Sequence, residues 1–391
     1  MLFLGLLFDR NEEQLIALKS RGCPLQNQVN TFQWNCIDGF YENGVQDLRI
    51  INALPVGVYP KRYTDMIIPS KKWNYNGGDH FQIGSFNLPV LKQWGRYRKC
   101  KKILKASDDK NILIYSPYQP FLKAIKKLDK SYSVTLIVPD LPEYYDYAST
   151  GRLRKVLRSI NNRSIKKCMG RVDRFVLLTE DMKIPLEVGK RPYTVVEGIC
   201  AAKPSGYVRQ SSLDKKVIMY AGSLNKQFGI DILVQAFEQI IDESYELWLC
   251  GGGDYVENIK EISKRDERIK FLGFVTKDKV LKLQSQATVL VNPRQNIGEY
   301  TKYSFPSKTM EYLLSGVPTV AYKLDGIPDE YDEYFCYVEE NTPLSLAQTL
   351  KKVCDDKSGH YETVARRAVE FVTKQKNSKV QAKKIMDIVL G

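Results

Sequence analysis

The stretch "YTKYSFPSKTMEYLLSGVPTVAY" (300–322) carries Lys308 and Glu311 three residues apart, on one face of a short helix. Pro306 suits the first helical position, Gly316 the residue just past the end, and Pro318 blocks continuation, so the pattern predicts about ten helical residues. Met310, Leu313 and Leu314 form an apolar stripe, and Lys308, Glu311 and Ser315 share another face. A cation in the first turn is unfavourable beside the positive end of the helix dipole unless an anion also occupies that end. Lys308 can meet a phosphate there. Glu311, one turn deeper, can accept hydrogen bonds from sugar hydroxyls, and the pair fits a nucleotide. Upstream, "NPRQNIGEYTK" adds Arg294, Glu299 and Lys302 directly after a predicted strand. An ordinary solvated Lys–Glu pair gives the same local pattern, but the density of charge at one strand end favours a ligand.

The elements that position these residues alternate. "KVIMYAGSL", "YELWLCGGGD", "IKFLGFV", "TVLVNPR" and "PTVAYK" read as strands, separated by helices such as "GIDILVQAFEQII", "NIKEISKR" and "KDKVLKLQSQA". Such alternation means a parallel, doubly wound sheet with ligands at the C-terminal strand ends. Glycine turns close three of those strands, at "AGSL", "CGGGD" and "LGF". None matches the P-loop or dinucleotide fingerprint. The N-terminal half repeats the rhythm less regularly in "NILIYSPYQPFLKAIKKL", "YSVTLIVPDLPEYY" and "RVDRFVLLTEDM", and "GICAAKPSGYVRQSSLDKK" (198–216) reads as the linker. The end, from "HYETVARRAVEF" onward, reads as two helices joined near Lys376 and Asn377.

The 391 residues favour two domains. "MLFLGLLFDR" reads as a buried strand rather than a secretory leader, and no apolar run reaches transmembrane length. Eight scattered cysteines without a C-x-x-C pair, and two histidines, argue against structural zinc or a disulfide framework and for the cytoplasm. The net charge of +14 is unevenly spread: residues 1–200 hold 32 Lys and Arg against 19 Asp and Glu. Its densest clusters are "KQWGRYRKCKKILK" (92–105) and "GRLRKVLRSINNRSIKKCMGRVDR" (151–174). The second places Leu153, Val156, Leu157 and Ile160 among the cations at helical spacing, which suits an anionic membrane surface as well as a solvated helix face. No nucleic-acid-binding signature accompanies the charge.

The series "YAGSL…GIDILVQAF…CGGGD…IKFLGFV…VNPR…FPSKTMEYLLSGVPTVAY…GIPDEY", from 219 to 331, resembles the donor-binding half of GT-B nucleotide-sugar glycosyltransferases. It looks most like bacterial retaining group 1 (family 4) members that build capsular, exopolysaccharide or O-antigen units. The resemblance implies an α/β chain of GT-B architecture, two Rossmann-like doubly wound domains facing across a crevice. Residues 1–205 would form an acceptor- and membrane-facing domain and 206–376 the donor domain, with a last helix at about 377–391 packing back on the first. Donor binding would fall on Gly222, Ser223, Phe274, Lys302, Ser304, Phe305, Ser307, Lys308 and Glu311, with Glu311 on the ribose.

Two departures stand out. The first glutamate of the family's E-x7-E pair falls on Tyr303, with Glu299 the nearest acidic substitute. The G-R-L-x-x-x-K-G clamp reads Gly222, Ser223, Leu224 through Phe228 and Gly229, so both of its cations are missing. Lys302, Lys308 and Arg294, with Lys226, are left to hold a diphosphate. Asp140 in "DLPEYYD" is the candidate acceptor-positioning residue or general base, with Glu299 and Arg294 beside the reacting sugar; His80 reads as an ordinary strand histidine.

The resemblance implies a hexosyltransferase using a nucleotide-sugar, with UDP favoured, and no metal or other cofactor. Its acceptor would be a saccharide or polyprenyl-diphosphate-linked saccharide in surface polysaccharide synthesis. The enzyme would be peripheral on the anionic cytoplasmic face of the cell membrane, with no nucleic-acid partner. The alternatives are a nucleotide-sugar 2-epimerase-like enzyme and a non-catalytic basic membrane-binding scaffold of the same fold.

Overall fold

The computed structural model describes residues 1–21, 27–144, 152–200 and 214–391; the side chains of 144 and 152–158 fall outside that description. Most of the expected linker and the side chains at the front of the 151–174 basic segment therefore lie outside that description. The chain divides into two compact units, Met1–Ile199 with Ser378–Gly391, and Cys200–Asn377.

The first unit runs β1 (Leu2–Gly5), α1 (Glu13–Lys19), α2 (Asn27–Glu42), β2 (Arg49–Asn52), β3 (Ile67–Ile68), β4 (Lys71–Tyr75), β5 (Gly78–Gln82), β6 (Ser85–Phe86) and α3 (Leu91–Lys105). It continues with β7 (Asn111–Tyr115), α4 (Gln119–Ile125), β8 (Ser133–Val138), α5 (Arg152–Met169), β9 (Arg174–Leu177) and β10 (Tyr193–Val195). The second unit holds β11 (Lys216–Ser223), α6 (Ile230–Glu238), β12 (Tyr245–Gly252), α7 (Val256–Ser263), β13 (Ile269–Gly273) and α8 (Lys277–Gln286). Then come β14 (Val289–Asn292), α9 (Lys308–Leu314), β15 (Thr319–Ala321), β16 (Cys336–Tyr337), α10 (Pro343–Cys354) and α11 (His360–Gln375). The last helix, α12 (Ser378–Leu390), belongs to the first unit.

An eight-stranded sheet of order β10-β9-β8-β7-β1-β2-β5-β4 forms the first unit, parallel except for the edge strand β4. Its strands are runs such as "NILIY" and "SVTLIV" with both faces buried, the pattern a helix-covered parallel sheet requires. α12 closes one face: Ala382, Ile385 and Val389 join Trp34, Ile37 and Phe40 of α2 in a single core. His80 is a core histidine within β5, its Nδ1 accepting from the Ile50 amide at 3.2 Å, and burial lowers its pKa. The seven cysteines among the described residues are buried, and none is in a disulfide.

In α3 the cations of the 92–105 cluster are divided between the interior and the surface. Lys92 and Arg96 point inward and are almost wholly buried. The Lys92 ammonium donates to the Val56 carbonyl at 2.5 Å, and Arg96 donates to the Leu54 carbonyl at 2.8 Å and to the Tyr118 hydroxyl at 3.0 Å. Burial, with the Arg96 charge beside it, lowers the Lys92 pKa to about 7. Above that pH the unfolded chain holds a proton there that the folded one has lost. Lys92 thus makes folding more favourable as pH rises from about 7 toward its ordinary 10.5.

The second unit's sheet has the order β13-β12-β11-β14-β15-β16, every pair parallel. In chain order this is 3-2-1-4-5-6, the doubly wound arrangement whose direction reverses between the first and fourth strands. Loops leaving the C-terminal ends of those two strands diverge to opposite faces and leave a crevice. Here those ends are Gly222–Ser223 of β11 and Asn292 of β14.

Candidate active site at the strand ends of the second unit

α9 is fixed to the end of β11 by one side chain. Tyr312, almost fully buried, receives the Ala221 amide on its hydroxyl at 3.1 Å. One helical turn toward the N-terminus, Lys308 is thereby laid across Gly222. A Cβ at residue 222 would sit 2.3 Å from Lys308 Cε, so only glycine lets the lysine stem lie on the strand. The neighbouring strand is equally close: Gly251 has φ +129°, and a Cβ there would meet the Gly222 carbonyl oxygen at 1.8 Å. The glycine closures of β11 and β12, in register as Gly222 beside Gly251, thus make a floor of bare backbone under a lysine.

The Lys308 ammonium is largely shielded from solvent, and that burial lowers its pKa, opposed by the Glu311 carboxylate one turn on. Among the described residues its Nζ has no hydrogen-bond or ion-pair partner. A desolvated cation without a partner is unfavourable until an anion arrives. Glu311 is half-buried and accepts from Nε2 of Gln284 on α8 at 2.7 Å. Gln284 is fully buried and its own Oε1 is unpaired, so its amide serves the carboxylate alone among the described residues. Sequence reasoning missed Gln284, because nothing local marks a contact spanning 27 residues.

Arg294, two residues past β14, lies with its guanidinium carbon 4.7 Å from the Tyr300 ring centroid and 6.0 Å from that of Phe228. It donates to Ser304 Oγ at 2.7 Å, while its Nε is buried without a partner among the described residues. Residues 299–303 form a 3-10 turn that the sequence did not announce, with Glu299 and Lys302 exposed on it. Phe274, 87% exposed, presents a ring against Gly252, where a Cβ would meet it at 2.5 Å.

Several expected residues are placed differently. α9 has seven residues and starts at Lys308 after the N-cap Ser307; Pro306 sits ahead of it, its carbonyl accepting from the Thr309 amide at 2.9 Å in a lead-in turn. Phe305 is buried, its ring 5.4 Å from Tyr331, and so packs rather than faces a ligand. Gly222 and Ser223 end the strand instead of forming a turn after it. In the first unit, Asp140 is exposed two residues past the C-terminal end of β8.

Three comparisons bear on this arrangement. Residues 215–356 match the family model described as glycosyl transferases group 1. An uncharacterised glycosyltransferase of Methanocaldococcus jannaschii is 26% identical over 149 residues, a match spanning 37% of each chain. Among solved structures, sucrose-phosphate synthase of Thermosynechococcus elongatus superposes with a TM-score of 0.69 at 14% identity, covering 99% of this chain and 98% of that one. Anabaena HepE, solved with UDP and glucose, gives a TM-score of 0.62 at 14% identity, covering 100% and 99%. WaaG, a glycosyltransferase of lipopolysaccharide biosynthesis, gives 0.62 at 12% identity over 100% and 99%. The chain has the GT-B fold of two Rossmann-like domains, and the region that matches the group 1 glycosyl transferase model lies in its second unit.

Proposed function

We propose that the protein is a glycosyltransferase that moves a hexose from a UDP-sugar to a saccharide carried on a polyprenyl diphosphate, at the cytoplasmic face of an anionic membrane, in surface polysaccharide synthesis. The observation that carries this reading is the Lys308 stem on Gly222, which holds an ammonium without a partner among the described residues at the switch point of the second unit's sheet. UDP is preferred because HepE, of the same fold, was solved with UDP and glucose.

Breaking the bond between the anomeric carbon and the diphosphate leaves negative charge on the departing phosphate and positive charge in the sugar ring. Lys308 and Arg294 are the cations available to the phosphate, Glu311 receives the ribose hydroxyls, and Glu299 steers the sugar. The acceptor hydroxyl forms the new bond to the anomeric carbon as its proton passes to the leaving phosphate oxygen, so neither a metal nor a protein base is required. Concentration of the cations in residues 294–308 supports such retention of configuration. Asp140 then positions the acceptor. An α-linked donor should give an α-glycoside by proton NMR, with Asp140→Asn still active; a β-glycoside and an inactive Asp140→Asn would make Asp140 the general base of an inverting enzyme.

A thermal-shift panel of UDP-, GDP- and TDP-sugars tests the donor assignment. A bound donor at about 100 times its dissociation constant should stabilise by about 2.7 kcal/mol. No shift with any of the three would remove the reading.

A further inference from the structure

β3 and β6 pair antiparallel as a two-stranded sheet, Ile67 opposite Phe86 and Ile68 opposite Ser85. Alternation turns Ile68 and Ser85 inward, and the outward pair, where polar residues belong, is Ile67 and Phe86. α3, beside it, is inverted in the same sense. In its first turns the buried face carries Lys92 and Arg96, giving way to Cys100 and Leu104 further on, while the solvent face carries Leu91 and Trp94, followed at helical spacing by Arg98, Lys102 and Lys105. The turn that starts α3 adds to this. Val90 has φ +64° and ψ −53°, and the Leu91 amide bonds the Pro89 carbonyl at 2.7 Å, a γ-turn centred on a β-branched residue. That conformation is strained, and it leaves Val90 79% exposed. Phe86 and Trp94 are likewise more than half exposed, at 58% and 54%.

Ile67, Phe86, Leu91 and Trp94 line a groove of about 440 Å³ between the small sheet and the start of α3, together with Arg98 and Lys99. The Arg98 guanidinium carbon stands 4.7 Å from the Trp94 ring centroid. α3 contains no acidic residue. An apolar tip of Val90, Leu91, Trp94 and Phe86, backed by a stripe of cations without a carboxylate, matches a membrane interface in both layers. The hydrocarbon takes the tip, tryptophan sits at headgroup depth, and anionic headgroups meet the stripe.

We propose that this face inserts into an anionic lipid surface, with Val90, Leu91, Trp94 and Phe86 entering the acyl layer and Arg98, Lys102 and Lys105 meeting the headgroups. The proposal rests on the reading above for a membrane-bound acceptor and names the part of the chain that reaches it. A protein partner is disfavoured because the cationic stripe would need a long acidic counterpart, whereas an anionic leaflet supplies one everywhere.

The test sediments the full chain with vesicles of phosphatidylcholine, alone or mixed with phosphatidylglycerol, and measures UDP binding on the same samples. Wild type should pellet with the mixed vesicles and remain in solution with the neutral ones. Leu91→Ser combined with Trp94→Ser should lower the bound fraction about tenfold while UDP binding is unchanged. In wild type, lipids brominated on their acyl chains should quench the part of the fluorescence that Trp94→Phe removes, a readout independent of whether the double variant folds. Equal pelleting of wild type and double variant would overturn the proposal, as would absence of that quenching. A wild-type dimer that Trp94→Ser dissociates would assign the face to a second copy of the chain instead. Loss of UDP binding alone would count against the donor reading and leave the lipid face standing.

Discussion

Lys308→Ala is expected to weaken UDP binding about ten- to a hundredfold, because a charge-assisted contact to a diphosphate is worth about 1.5–3 kcal/mol. The variant removes a cation that the folded chain already shields in large part from water, over Gly222 and without a partner among the described residues. Its folding should not suffer, since an unpaired buried charge opposes stability rather than supporting it. Uridine, which lacks the phosphates, should bind variant and wild type alike by titration calorimetry. The pH dependence has a defined sign. Burial lowers the free-state pKa of Lys308, and a bound diphosphate would raise it again. Wild-type affinity is therefore full below the free-state value and declines as pH rises above it, beginning below the ordinary lysine 10.5. Lys308→Ala should flatten that decline; a variant that keeps wild-type affinity and pH profile would remove Lys308 from the donor site.

The second large effect concerns the ribose. Glu311→Ala should cost about 1–3 kcal/mol in UDP binding, because the ribose hydroxyls lose their acceptor and are left unsatisfied. Gln284→Leu should give a smaller loss of the same kind, because its amide holds one Glu311 oxygen at 2.7 Å and so fixes where the other points. UDP with both ribose hydroxyls removed separates this from a general disturbance of the core. Against that ligand neither variant should differ from wild type, whereas damage to the fully buried Gln284 position would weaken both ligands equally.

The contrast between what could and could not be read beforehand follows from the range of each interaction. β11 and β12 are legible because "KVIMYAGS" and "YELWLCGG" are apolar runs closed by glycine, and their alternation with helices leaves few topologies for a sheet. Lys308 and Glu311 were visible because a helix brings residues three apart onto one face. The contacts that give them meaning were not: Tyr312 to Ala221 spans 91 residues and Gln284 to Glu311 spans 27. The start of α9 is not legible, because Pro306 fits a first helical turn and a lead-in turn equally well. In α3, cations that look solvent-facing are drawn inward by the carbonyls of Leu54 and Val56, which no pattern of side chains reveals. β3 and β6 are two residues each, too short for any periodicity to register.

A crystal structure of the chain with UDP-glucose tests the central claim most directly. The account predicts the diphosphate within about 3 Å of Lys308 Nζ, over Gly222, with the ribose hydroxyls on Glu311. A nucleotide bound with Lys308 and Glu311 both unengaged, or seated on the first unit alone, would contradict it.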